Sequence, residues 1–221
     1  MKRRMTKETT PPLDSLISGY RNFRETGWEP HRKRWAQLRE GQSPEVMVIA
    51  CSDSRVDPAQ IFDVDPGQIF VVRNVAALVP PYETTPGQHG VSAALEFAVQ
   101  VLKVKEVVVM GHGMCGGCEA ALTKSMADAR PGEGGFVAQW ISMLDEAVEK
   151  VSGEFGSEGR DALRAMEHEA VRVSLQNLRT FPCVQEKESA GTLKLRGAYF
   201  AISHGVLHLL DDDSGKFAPV T

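Results

Sequence analysis

At 221 residues, with 42% apolar and 24% charged side chains, the chain has an ordinary globular balance and the length of one domain with extra arms. Its 25 basic and 29 acidic side chains leave a formal charge of −4, which excludes the basic footprint of a nucleic-acid binder. No stretch reaches the roughly 18 consecutive apolar residues of a membrane helix, and four cysteines are too few to staple a chain of this size, so a soluble cytoplasmic protein with reduced thiols is expected.

The basic cluster Lys2, Arg3 and Arg4 opens the chain, where ends fray. Residues 5–12 are polar and end in Pro, unlike the apolar stretch of a secretory signal. Leu13, Leu16, Ile17, Tyr20 and Phe23 then recur at helical spacing, and Trp35 and Leu38 follow Pro30, so residues 12–42 read as two helices. They carry little apolar surface for their length. Residues 1–44 therefore read as an N-terminal helical arm lying on something larger, such as a partner subunit. Residues 45–221 read as the α/β domain that carries the chemistry.

From residue 45 the pattern changes. Val46-Met-Val-Ile-Ala50, Ile69-Phe-Val-Val72 and Val107-Val-Val-Met110 are short apolar runs rich in β-branched residues, as in strands buried on both faces of a parallel sheet. Residues 90–102 lie between them, with Val91, Ala94, Leu95, Ala98, Val101 and Leu102 on one helical stripe. Strands alternating with helices predict an α/β fold around a mainly parallel sheet. A Pro-Gly-Glu-Gly-Gly turn at 131–135 precedes helices over about 136–150 and 160–180, and Pro182 is read as ending the second. Ala198–Ile202 and Val206–Leu210 flank a Gly-containing turn, which predicts a hairpin and an antiparallel edge strand. There is no internal repeat.

Two segments carry candidate chemistry: Cys51-Ser-Asp53-Ser-Arg55 and Gly111-His112-Gly-Met-Cys115-Gly-Gly-Cys118. Each follows a predicted strand, and open parallel sheets build their sites at the carboxyl ends of strands. The second segment admits three readings. His112 and Cys115, three apart, suit zinc, whose preferred ligands are thiolate and imidazole. Cys115-Gly-Gly-Cys118 is also a C-x-x-C motif of dithiol oxidoreductases. Gly111-His-Gly113-Met-Cys-Gly116 also matches the dinucleotide fingerprint. The dinucleotide reading is the weakest, because the fingerprint belongs to the first strand–helix turn and leaves Cys51, Asp53 and Arg55 unexplained. The redox reading explains two cysteines and nothing else; the metal reading uses both segments.

Each residue also has a plainer role. Cys51 reads equally as a small buried hydrophobe, Ser52 to Ser54 as a turn, and Asp53 with Arg55 as an ordinary ion pair. Their coincidence at two strand ends is what favours a site.

At these residues the chain resembles the β-class carbonic anhydrases. The resemblance runs from about residue 41 to 211 and rests on Cys51-Ser-Asp-Ser-Arg55, Arg73-Asn74-Val75-Ala76, Gly111-His112 and Cys115-Gly-Gly117. Val71-Val-Arg-Asn-Val-Ala and Leu78-Val-Pro-Pro-Tyr82 are similar to the plant-type branch. The resemblance implies one zinc ion per chain on Cys51, His112 and Cys115. It implies that Asp53 either takes the fourth zinc position or pairs with Arg55 and leaves water on the metal. It maps a substrate pocket to Gln42, Phe70 and Val75, with Phe97 where the family pocket has a tyrosine. The implied reaction is reversible hydration of CO2 to bicarbonate and a proton by zinc hydroxide, in a homodimer or homotetramer whose arm crosses to a neighbour. The runner-up is a hydrolase of a related small linear molecule, such as carbon disulfide; behind it stand a thiol oxidoreductase and a structural zinc module.

Some relatives carry a second, inhibitory bicarbonate site built from a tryptophan, an arginine and a tyrosine. Here Arg73 is present, but Val48 and Phe200 take the other places, so no such site is expected and Arg73 reads as a structural ion-pair residue. Cys118 reads as a packed thiol, with an oxidation-sensitive site as the alternative. His31, His168, His204 and His208 read as surface or packing residues, and His89, in a loop, as a weak candidate for proton relay.

Overall fold

Residues 13–220 are described in the computed structural model; the Lys2–Arg4 cluster and the polar stretch at 5–12 lie outside them. The described residues fall into two compact units divided between Gln42 and Ser43. The first contains α1 (Leu13–Phe23), a π-helical turn over Arg24–Trp28, and α2 (Arg32–Leu38). Pro30 separates the helices, as a residue without a backbone N–H should. Phe23 meets Trp35 edge-on with ring centroids 6.0 Å apart. No residue of either helix is buried.

The second unit is built on a six-stranded sheet. In chain order it runs β1 (Val46–Cys51), α3 (Pro58–Ile61), β2 (Ile69–Asn74), α4 (Gly90–Glu96), β3 (Glu106–His112), α5 (Gly116–Leu122), α6 (Gly135–Ile141), α7 (Asp145–Phe155), α8 (Arg160–Leu178), α9 (Pro182–Ser189), β4 (Lys194–Ala201), β5 (Val206–Leu210) and β6 (Phe217–Pro219). The strand order is β2-β1-β3-β4-β5-β6. The first four strands are parallel, and β5 and β6 add antiparallel pairs at one edge. The α/β fold with an antiparallel edge is therefore as expected.

Several details differ from the sequence reading: the helix read over 136–150 is split into α6 and α7 by a 3-10 turn, and Val101, read on the apolar stripe of 90–102, is 61% exposed. Pro182 does not end α8, which stops at Leu178; it opens α9 at the first helical position, where its missing N–H costs nothing. The hairpin does not form the edge by itself, because Phe217–Pro219 pairs outside it.

One face of the sheet is well covered. Met47, Ile49, Val107, Val109 and Leu195 pack with Leu95, Val99, Val171, Leu175 and Val184 from the helices and segments that cross them. Each such fully buried side chain contributes roughly 1.5–3 kcal/mol. The other face is thin: Val48, Ala50, Met110 and Ala198 are buried, with half-buried Ile61, Phe62, Ile69, Val108 and Leu207 around them. A third cluster joins Cys51, Cys115 and Cys118 to α5, α6, α7 and the first half of α8.

Candidate metal centre

β1 lies between β2 and β3, so the chain order reverses between β1 and β3. That is the topological switch point, where a crevice opens beyond the strands' carboxyl ends. Cys51 ends β1 and His112 ends β3. Two short loops carry the remaining candidates.

The loop after β1 is tied down by a cation. Arg73 on β2 donates from Nε to the Cys51 carbonyl (2.9 Å), from Nη2 to the carbonyls of Asp53 (2.6 Å) and Val56 (3.4 Å), and from Nη1 to Asp57 Oδ2 (3.1 Å). Asp57 also caps α3, with Oδ1 accepting from the N–H groups of Ala59 (2.9 Å) and Gln60 (3.3 Å). Arg73 is thus the structural residue its plainer reading predicted.

The loop after β3 is tied down by an anion. Met114 adopts a left-handed backbone, φ 57°, and the next residue, Cys115, donates its N–H to Glu167 Oε1 at 2.9 Å. Tyr199 donates its hydroxyl to Glu167 Oε2 at 2.9 Å. Glu167 is 2% exposed. It went unnoticed in the sequence; the available signal was an acid on the buried stripe Leu163, Met166, Ala170, Val171 of α8.

Between these loops the ligand atoms of Cys51, His112 and Cys115 lie within 4.8 Å of one another, all three residues buried. The Nδ1 of His112 faces the Gly113 carbonyl at 3.0 Å. A carbonyl only accepts, so Nδ1 is assigned the proton and Nε2 keeps its lone pair. That Nε2 is buried with no hydrogen-bond partner. A buried nitrogen lone pair without a donor, converging with two thiols, fits a zinc ion.

The electrostatics agree with a site built for positive charge. Hydrogen bonds from the thiols of Cys118 and Cys51 hold the Cys115 thiol well below its ordinary range. Cys51 is pushed up because it shares a proton with Cys115 and because it is buried. Burial opposes protonation of His112, but the Cys115 thiolate outweighs it and raises the imidazole.

Asp53 stands outside this three-donor cluster. Arg55 grips it from three positions: Nε to Oδ1 (2.9 Å), Nη2 to Oδ2 (2.6 Å) and backbone N–H to Oδ1 (2.9 Å). The Arg55 guanidinium holds the Asp53 carboxyl at about 2, below the usual carboxylate range. Nη2 also donates to the Met114 carbonyl at 2.9 Å, which joins the two loops. Asp53 Oδ2 lies 4.0 Å from His112 Nε2.

The other candidates are placed differently. Val75 follows β2 directly, its carbonyl receiving the Trp140 indole N–H at 2.9 Å. Phe70 and Phe97 form a tilted aromatic pair with centroids 5.9 Å apart. Phe70 is in register with Met47 and Asn74 with Cys51. Phe70 therefore lies four residues, roughly 13 Å, down the sheet from the ligands. Gln42 closes the N-terminal unit and is exposed. His89 is engaged in its own loop, Nε2 to the Thr85 carbonyl at 2.8 Å.

Some glycines of the two competing motifs have packing reasons, though Gly116 has open space around it. A Cβ on Gly111 would meet Val171 at 2.7 Å, and one on Gly117 would meet Val75 at 2.7 Å. Cys118 is buried, and its thiol is turned toward Cys115. All four cysteines are free thiols.

Comparison with known proteins points one way. The sequence pattern of the family described as carbonic anhydrase matches residues 46–207. β-Carbonic anhydrase 3 of Arabidopsis thaliana is 33% identical over 202 residues, covering 91% of this chain and 78% of the relative. The solved β-carbonic anhydrase CcaA superimposes with a TM-score of 0.87 at 31% identity, over 94% of this chain and 99% of that one. A tetrameric β-carbonic anhydrase of Sordaria macrospora gives a TM-score of 0.69 at 26% identity, over 95% of each chain.

Proposed function

The chain belongs to the β-carbonic anhydrases, a family of enzymes, and from that premise we propose that it catalyses the reversible hydration of CO2 to bicarbonate and a proton. The observation that carries the proposal is the buried Cys51–His112–Cys115 donor cluster beside a bidentate Asp53–Arg55 pair. One zinc ion per chain would be held by those three donors; when bound, it makes a water ionisable near neutral pH.

The remaining steps belong to the chain's own groups. Arg55 occupies Asp53 Oδ1 twice and Oδ2 once, so the carboxylate stays ionised and keeps an acceptor position on Oδ2, the oxygen nearest His112 Nε2. Oδ2 can accept a hydrogen bond from the reacting water and so direct that water's lone pair toward CO2. The pair favours the arrangement in which Asp53 turns to Arg55 over the one in which it ligates metal. Val75, Phe70 and Phe97 are proposed as the apolar wall for CO2, and the Gln42 amide as a ligand for a bicarbonate oxygen.

The wall and the partners are linked. Phe70 is too far from the ligands of its own chain to line their site, and one sheet face is thinly covered. Together with the tetrameric Sordaria relative, this supports a homodimer or homotetramer in which a second copy completes the pocket. Light scattering tests it; a monomer with full activity would remove the proposal. The plant-type branch rests on the motif at residues 71–76 and the Arabidopsis relative. A cytoplasmic location is compatible with the described residues, none of whose helices is long and apolar enough to cross a membrane. No second bicarbonate site is proposed at Arg73, whose Nε and both terminal nitrogens are engaged; an anion seated there in a bicarbonate-bound crystal would contradict this.

The decisive experiment measures zinc content and CO2 hydration against pH for wild type, Cys115→Ser and Asp53→Asn. Cys115→Ser should lose both. Asp53→Asn should keep zinc and lose at least about tenfold in rate, the scale of a displaced acid–base partner. Full activity in a zinc-free preparation would overturn the mechanism.

A further inference from the structure

A cavity of about 440 Å3 opens where the first turns of α8 meet the ends of β3 and β4. Three guanidinium groups line it: Arg55, Arg160 and Arg164. Arg160 and Arg164 are four apart on α8, hence on one face of the helix. Among the described residues neither makes a hydrogen bond or ion pair with another side chain or a carbonyl. Arg55 spends Nε and Nη2 on Asp53 and Met114, which leaves both N–H groups of Nη1 without a protein acceptor.

Asp53 pairs with Arg55, but no group in the wall pairs with Arg160 or Arg164. The wall's one carboxylate, Glu167, has both oxygens committed, one to the Cys115 N–H and one to the Tyr199 hydroxyl. The wall also includes Ser203, whose Oγ lies 2.8 Å from His204 Nδ1. The first three residues of α8 also lack a side-chain cap, since Gly159 occupies that position. Like charges gathered around one cavity repel, and only an anion reverses the sign of that interaction. Planar forks match the oxygens of phosphate and its esters in pairs.

We propose that this cavity is an oxyanion site for phosphate or a small phosphate monoester, gripped by Arg160, Arg164 and the free edge of Arg55, with Ser203 as a further donor. The cavity is larger than a lone phosphate needs, so a monoester can place its organic part against Leu163 and Ile202. The site is separate from the three-donor cluster and does not depend on the proposed reaction. It adjoins the metal centre through Arg55, the loop residues Gly113 and Met114, and Glu167.

The test titrates the full-length, zinc-loaded protein with inorganic phosphate and with glycerol 1-phosphate in a calorimeter, for wild type and Arg160→Gln/Arg164→Gln. Wild type should bind one anion per chain, and the double variant at least about tenfold more weakly, the loss expected when two charge-assisted forks go. CO2 hydration without phosphate should be unchanged in the variant. Tighter binding of the ester identifies a phosphorylated metabolite as the source; tighter binding of phosphate identifies the free ion. Equal affinity in wild type and variant would place the anion elsewhere, for example on the metal, and would overturn the proposal. So would the absence of binding by wild type. If circular dichroism shows the double variant misfolded, Arg160→Gln alone decides: several-fold weaker binding supports the site and unchanged binding ends it.

Discussion

The loop after β1 and the loop after β3 both flank the candidate metal centre, yet opposite charges fasten them. Around residues 51–57 the backbone turns its carbonyls inward, so a fork of donors is needed, and Arg73 supplies it. At Cys115 the chain is entering α5, where helix N–H groups lack partners, so an acceptor is needed, and Glu167 supplies it. The two clamps also differ in burial. The Arg73 side chain is 28% exposed, whereas Glu167 is 2% exposed. Water can stand in for the first when it is lost, but not for the second.

Removing the metal should produce the largest effect, because a bound ion would link both loops. Stripping zinc with a chelator should lower unfolding free energy by more than about 4 kcal/mol, what a ligand a thousandfold above its Kd supplies. Amide exchange should rise at 51–57 and 113–118 before it rises in the central strands. Uniform protection changes across the sheet would mean the loops hold their shape without the ion.

Glu167→Ala comes next. It leaves the Cys115 N–H and the Tyr199 hydroxyl without acceptors in a buried place and opens a small void. A loss of about 3–5 kcal/mol is expected in urea unfolding, with weaker zinc retention. Arg73→Ala should cost less, about 1–3 kcal/mol, because solvent reaches the freed carbonyls. If Arg73→Ala proves the more damaging of the two, burial is not what separates the clamps.

Much of this arrangement was legible in the sequence, for identifiable reasons. β1 and β3 announce themselves because buried central strands need unbroken β-branched runs, whereas β2 carries the same run although it is an edge strand with no buried residue and Val71 exposed. The convergence of Cys51 with His112 and Cys115 followed from chain order in parallel sheets. The clamps were not legible. Arg73 and Glu167 lie 20 and 52 residues from the backbone groups of Asp53 and Cys115 that they hold, and only tertiary structure pairs them. β6 was missed because three residues carry no period, and its pairing depends on β5 being in place. Pro182 was misread because proline suits both the stretch after a helix and the first position of the next. The fingerprint at 111–116, the weakest of the three readings, arises because glycines that admit Val171 and Tyr199 look, in sequence, like glycines that admit a phosphate.

The smallest expected effect separates the clamps by pH. Tyr199, which holds Glu167 from one side, packs edge-on against His168 with centroids 4.6 Å apart, and His168 stacks on Phe217 at 4.2 Å. Burial, helped by the charges of Arg172, Arg164 and His208, pushes the His168 imidazole down to about 4 from an ordinary 6.5. Its Nε2 is buried without a partner. The folded state therefore binds fewer protons at this site than the unfolded state between those two values. Stability contributed by the neutral ring is present above pH 6.5 and is lost as pH falls toward 4. The loss should amount to about 1–3 kcal/mol. His168→Phe keeps the ring packing and removes the proton, so its unfolding midpoint should fall less steeply than that of wild type over this window. Arg73→Ala, with no titrating neighbour of this kind, should shift the whole curve downward without changing its slope there. Parallel curves for wild type and His168→Phe would show that the buried ring does not feel pH, and that the acid clamp is no more pH-sensitive than the basic one.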